Sequence, residues 1–161
     1  MLQVNQLIGF GVGGETVLTR IAAVAIGSTF TFSSGAAEAN LNDNNDATGA
    51  ADGTGLTAGT RAAYDFGSAV AIRRVRLITF GTTGFSNTIT FNIRYSDTNL
   101  TTGFSTVTGG TTQIVANAGT SQESIANIDA NGAHRYWAIE YASGTTGGNA
   151  WLGGLDMSHY V

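Results

Sequence analysis

The residues most suggestive of chemistry lie at the start of the chain. Gly9, Gly11 and Gly14 stand in the spacing Gly-x-Gly-x-x-Gly, the pattern with which a strand–turn–helix cradles a dinucleotide pyrophosphate. That mechanism needs a strand before the glycines, a helix N-terminus after them and an acidic residue roughly 20 positions further on. No βαβ unit flanks these glycines, so they read as a flexible tether instead. His134 and His159 are the only histidines, and the sequence holds neither a Gly-x-Ser-x-Gly elbow nor a His-x-x-x-His pair. The absence of cysteine excludes disulfides, zinc thiolates and a thiol nucleophile. Asp43 and Asp46 offer a pair of carboxylates for acid–base work. Three apart in one Asn/Asp loop, they read as part of a solvated turn. His134, just ahead of an alternating stretch, reads as an ordinary surface or turn residue. With no nucleophile, base or cofactor cradle nominated, the sequence reads as non-enzymatic.

Charge narrows the partners. All seven basic residues are arginines, against eleven carboxylates, for a net charge of −4. Binding a phosphate backbone needs clustered cations, so nucleic acid is not expected as a partner. The longest apolar run, Ile21 to Ile26, is far short of the ~20 residues that span a bilayer, so no membrane partner is expected either. Met1 to Gln6 carries no positively charged side chain, which argues against a secretory signal; a protein working outside a cell would leave by another route, such as lysis. Arg74 and Arg76 share a strand face and Arg94 lies on the polar face of another strand. Arginine suits protein interfaces through bidentate pairing and stacking; the plainer alternative is a solvated sheet face with cross-strand ion pairs worth little.

These residues must be positioned by β-structure. Thr88 to Asp97 alternates cleanly, with Ile89, Phe91, Ile93 and Tyr95 on one face and Thr88, Thr90, Asn92, Arg94 and Ser96 on the other. Ile72–Phe80, Arg135–Tyr141 and Trp151–Met157 are further strand candidates. Shorter ones are expected at Thr29–Ser33, Ala63–Phe66, Gln113–Ala116 and Ser124–Ile128. Asp52-Gly53 and Asn131-Gly132 mark tight turns. Glu15 to Val24 fits both a helix and a strand, and the pattern is β from Ala25 onward. Many short strands without a long helical stretch predict an all-β, antiparallel jelly-roll sandwich. Residues 1–20 are expected to form a glycine-rich arm and residues 21–161 the sandwich domain.

Three ordered blocks resemble the discoidin family (coagulation factor 5/8 type C, galactose-binding-like). The first is Ala25-Ile26-Gly27-Ser28-Thr29-Phe30-Thr31-Phe32-Ser33-Ser34 followed by Ala39-Asn40-Leu41-Asn42-Asp43-Asn44. The second is Tyr64-Asp65-Phe66-Gly67 running into Ala71-Ile72-Arg73-Arg74-Val75-Arg76-Leu77. The third joins Phe91–Asp97, Ala133–Ile139 and the closing Leu152-Gly153-Gly154-Leu155-Asp156-Met157. The resemblance implies an eight-stranded antiparallel jelly roll with ligand loops at one end. It also implies a possible calcium ion near the Asn-Leu loop, with Asp43 and Asp46 as candidate ligands; Gly154 stands where the family's closing-strand glutamate would be. Calcium wants ~6–8 oxygens, and the plainer reading of the loop is a turn.

Two functions follow from different classes. The first is a virion structural protein of a tailed phage, a capsid decoration or cement protein on the particle surface. It would attach to a major capsid or tail protein through Leu2, Val4, Leu7, Ile8 and Phe10 of the arm. Asn5–Gly11 is similar to the starts of small phage virion proteins, and a homo-oligomer, with a trimer favoured, is expected. The alternative is a carbohydrate-binding, lectin-like module in which Trp151 or Tyr64 covers the C–H face of a sugar beside Arg61 and Asn149. Trp137 is expected in the core. Trp151 is divided between core and platform, with core favoured.

Overall fold

The computed structural model describes residues 18–28, 40, 43–45, 50–52, 57–79, 88–114, 122–128, 131–144 and 150–160. They form strands β1 (Leu18–Arg20), β2 (Ala25–Ser28), β3 (Ala50–Asp52), β4 (Arg61–Val70), β5 (Arg74–Thr79), β6 (Ile89–Ser96), β7 (Ser105–Ile114), β8 (Gln122–Asn127), β9 (His134–Ser143) and β10 (Ala150–Tyr160). All pairings are antiparallel. One sheet, sheet A, runs β1-β10-β5-β8, with β3 also paired to β10; the other, sheet B, runs β2-β4-β9-β6-β7. This is the expected all-β jelly-roll sandwich, and among the described residues no helix is long and apolar enough to cross a membrane.

The period of two in each strand decides what faces inward. From sheet B the core takes Ala62, Tyr64 and Phe66 of β4, Ile89, Phe91 and Ile93 of β6, Val107 of β7 and Trp137, Ile139 and Tyr141 of β9. From sheet A it takes Val75 and Leu77, Ala126, Leu155 and Met157. Each such large apolar side chain contributes about 1.5–3 kcal/mol by leaving water. The alternation read at Ile89–Tyr95 holds, with Ile89, Phe91 and Ile93 fully buried and Tyr95 at the rim. Trp137 is in the core as expected, its indole Nε1 donating to the carbonyls of Val70 (3.2 Å) and His134 (2.9 Å).

Several boundaries differ from the sequence expectation. β4 starts at Arg61 and runs to Val70, and β7 starts at Ser105 where only Gln113–Ala116 was expected to be extended. The ambiguous Glu15–Val24 stretch contributes β1, which pairs Leu18 with Tyr160, so the sheet reaches into the segment read as an arm. Residues 1–17, which hold Leu2, Val4, Leu7, Ile8, Phe10 and the Gly-x-Gly-x-x-Gly spacing, lie outside the described residues, as does the strand expected at Thr29–Ser33.

Strand directions sort the connections between two ends. β2, β5, β7 and β9 finish, and β4, β6, β8 and β10 start, at the same end, which we call the loop end. β1 starts at the opposite end, where β10 finishes. The connection after β6 folds back over the outer face of sheet B. Gly27, Ala63, Ala138 and Arg94 lie in register across that face. A Cβ on Gly27 would lie 3.3 Å from Leu100 Cβ, so the missing side chain makes room for this segment. Ala63 and Ala138 are fully buried although they face away from the core.

Candidate functional site

The loop end gathers most of the residues nominated for a ligand. Arg61 is the first residue of β4, Trp151 is the second of β10 and is in register with Ala51 of β3, and Asn149 directly precedes β10. The side chain of Trp151, and Asn149 altogether, lie outside the described residues. The structure separates the other two candidates. Arg61 and Tyr64 are three apart in one strand and therefore face opposite sides of sheet B. Tyr64 points into the core with no exposed surface, so its ring is no platform for a sugar. This corrects the expectation of Tyr64 exposed beside Arg61.

Arg61 belongs to an ionic cluster on the outer face of sheet B. Glu140 of β9 lies in register with it. The Glu140 carboxylate accepts from Arg94 Nη1 at 3.0 Å and lies 3.8 Å from Arg61 Nε. Arg94 Nη2 donates to the carbonyl of Phe104 at 2.8 Å, and the Arg61 guanidinium sits 4.8 Å over the Phe104 ring. One carboxylate thus holds two arginines, and both hold the connection after β6. Asn99 shapes that connection, its Oδ1 accepting the amides of Thr101 (2.7 Å) and Thr102 (2.8 Å). Glu140, Leu100 and Phe104 were not nominated from sequence; the alternation of β9 marks Glu140 as outward, but nothing local reveals that a segment 36 residues earlier lies over it.

For calcium, Asp43 is exposed, and its Oδ1 accepts the amide of Asn45 at 2.8 Å around Asn44, which has φ 61°. Asp46 lies outside the described residues. No group of three or more His, Cys, Asp or Glu side chains among the described residues is placed to hold a metal ion. One exposed carboxylate turned onto its own loop is far from the ~6–8 oxygens of a calcium shell, so the described residues do not by themselves fit that ion.

The opposite end carries two further pairs. Asp65 is nearly buried and receives Arg135 Nε and Nη2 at 2.8 Å each, together with the Gly67 amide at 2.7 Å. The hydrogen bonds from Arg135, more than the one from Gly67, hold the Asp65 carboxyl below the ordinary aspartate range against the cost of burial. Gly67 has φ +77°, which a side chain rarely adopts, and this lets the chain turn its amide back onto Asp65. His134, expected as an ordinary surface or turn residue, instead stacks on Tyr95 with ring centroids 3.6 Å apart and bonds Asp97 through Nδ1 at 2.8 Å. At the loop end, burial pushes the Tyr141 phenol above its ordinary value, and its hydroxyl donates to the carbonyl of Gly144.

No protein-family model and no curated protein matches the chain. Solved structures do match. Truncated AlyQ, with a family 32 carbohydrate-binding module and an alginate lyase domain, is 18% identical with a TM-score of 0.66, over 91% of this chain and 34% of that one; the chain spans about a third of its length. The AlyQ module in complex with 4,5-unsaturated mannuronic acid is 15% identical, with a TM-score of 0.61 over 88% of this chain and 98% of that one. The family 32 module of Clostridium perfringens NanJ in complex with galactose is 12% identical, with a TM-score of 0.63 over 89% of this chain and 100% of that one. At these identities the likeness is one of fold: a two-sheet antiparallel jelly roll.

Proposed function

We propose that this chain is a non-catalytic carbohydrate-binding module that takes a saccharide at the loop end. The observation that carries the reading is the match of its fold, across the full length of the partner, to a module solved with galactose. The strand directions are consistent with it, because β4 starts with Arg61, β10 starts beside Trp151 and β3 finishes opposite Ala150, all at that end. In this reading Trp151 supplies the apolar face for a sugar ring and Asn149 the hydroxyl contacts. Arg61, engaged with Glu140 and Phe104, stands at the base of the site. A glycan array followed by calorimetric titration with galactose tests it. Binding at millimolar sugar or below, lost in Trp151→Ala, is expected; no saccharide bound at millimolar concentration overturns it.

A second reading, attachment to a virion, draws on the entry of β1 at the end opposite the loops. An anchor in residues 1–17, a trimeric assembly and a ligand at the loop end would then use separate surfaces. Deleting residues 1–14 should abolish particle incorporation while leaving the sandwich folded; normal incorporation overturns this reading.

A further inference from the structure

The outer face of sheet A holds an arginine, Arg74, whose buried Nε has no hydrogen-bond partner among the described residues. Arg20, Ser158, Arg74 and Asn127 stand in register across β1, β10, β5 and β8, and Arg76 follows two residues along β5. Partners across a ladder share a face, so Arg20, Arg74 and Arg76 all point away from the Val75, Met157 and Ala126 layer of the core. Strand spacing places Arg20 and Arg74 about 10 Å apart and Arg74 and Arg76 about 7 Å apart at their Cα atoms.

The arginines of the chain are otherwise engaged. Arg135 grips Asp65, Arg61 and Arg94 share Glu140, Arg76 bonds Glu123 at 2.7 Å, and Arg20 and Arg73 also have partners. Among the described residues Arg74 is the arginine whose side chain has no hydrogen bond or ion pair, and its Nε is shut off from water. A buried donor left unsatisfied carries a desolvation cost, and native structures rarely tolerate one without a ligand, ion or water to meet it. The same face also carries two carboxylates, Glu123, paired with Arg76, and Asp156, in register with Arg76, so its three arginines exceed its acids by one. The chain as a whole is acidic, with a net charge of −4, so a face with one arginine in excess stands apart from it. Ile125, 49% exposed and in register with Arg76, supplies an apolar neighbour for a sugar ring.

We propose that this face is a second binding surface, separate from the loop end, where Arg74 receives the carboxylate of a uronate-bearing saccharide. Guanidinium matches carboxylate in planar, bidentate geometry. The choice of a saccharide as carrier of the carboxylate rests on the carbohydrate-binding reading above.

The test titrates the full chain with an oligogalacturonate, with the neutral galactose oligomer of equal length, and with poly-glutamate. Calorimetry and the Nε–Hε signals of the arginines are the readouts. The oligogalacturonate should bind at least about tenfold tighter than the neutral oligomer and shift the Arg74 signal. Arg74→Gln should weaken it by about tenfold, the size of one charge-assisted hydrogen bond. Binding of the neutral oligomer in Arg74→Gln should be unchanged, which reads the loop end independently. Equal affinity for the charged and neutral oligomers, or an unmoved Arg74 signal in the wild-type chain, overturns the proposal. So does poly-glutamate binding as tightly as the uronate, which would mark an acidic protein as the occupant.

Discussion

Replacing Glu140 with glutamine probes how the outer face of sheet B is held. The substitution keeps the shape of the side chain and removes its charge, leaving Arg61 and Arg94 as like charges beside Phe104. The side chains are 13% exposed for Glu140, 21% for Arg94 and 22% for Arg61. Exposed ion pairs contribute about 0–1 kcal/mol, whereas breaking a buried pair from one side costs about 3–5 kcal/mol. A cluster between these limits, with one contact at 3.0 Å and a looser one at 3.8 Å, should lose about 1–3 kcal/mol. For a domain of this size that is a fall in Tm of about 3–10 °C. Urea denaturation followed by circular dichroism measures the loss, and hydrogen exchange across residues 97–106 should accelerate along with it. The double variant Arg94→Met with Glu140→Leu removes both charges of the tighter pair and should recover part of the stability. A Glu140→Gln variant within about 0.5 kcal/mol of wild type, with unchanged exchange in that segment, would refute the idea that one carboxylate pins the connection through two arginines.

Two other perturbations follow from the same geometry. Asp65 has its carboxyl held below the ordinary aspartate range, first by Arg135, so the unfolded chain takes up this proton before the folded one does. The stability it contributes is therefore present above the ordinary aspartate pKa and lost as pH falls through the lowered folded value. Tm measured from about pH 6 down to about pH 2 should show Asp65→Asn well below wild type at the upper end and the two curves converging in acid; parallel curves contradict the assignment. Gly144 has φ +123°, and a Cβ there would lie 2.6 Å from the carbonyl oxygen of Thr88 and 2.9 Å from Ile89 Cα. Gly144→Ala should thus cost about 1–3 kcal/mol or more in urea unfolding, since backbone strain and a backbone clash coincide.

The legible strands were those whose burial follows strict alternation. In β6, Ile89, Phe91 and Ile93 are the core and the intervening Thr90, Asn92 and Arg94 are not, so sequence and fold coincide. β7 was largely illegible for a physical reason. It is an edge strand in which Val107 is the apolar residue buried between Ser105 and Thr112. Its glycine pair looks like a turn yet lies within the strand. Gly109 adopts φ +73°, and a Cβ on Gly110 would come 2.7 Å from Val107 and 3.1 Å from Ile93, so close packing across the irregular ladder demands the missing side chain. The partner that satisfies this edge is also distant: Asn131 accepts the Thr108 amide at 2.9 Å and donates to the Thr108 carbonyl at 3.1 Å, in place of a neighbouring strand.

The site was legible in proportion to what strand parity can decide. Once β4 is known to begin at Arg61, period two alone sends Arg61 outward and Tyr64 inward, and the proposed sugar pair dissolves without further information. Parity likewise places Arg74 and Arg76 on one face, as their spacing suggested. What it cannot supply is which acid answers which arginine, because that depends on ladder register between segments far apart in the chain: Arg76 meets Glu123 across 47 residues, Arg94 meets Glu140 across 46 and Arg135 meets Asp65 across 70. Two of these pairs lie between strands of sheet B, where they fix the arrangement of the sheet and its covering segment. On the outer face of sheet A three arginines stand with two carboxylates, Glu123 and Asp156, and Arg74 is the half-buried one whose Nε finds no partner among the described residues. A solvated arginine with all its donors in water would carry no such implication; Arg74 combines a closed-off Nε, which Arg61 and Arg94 share, with the lack of the ion pair that those two make with Glu140.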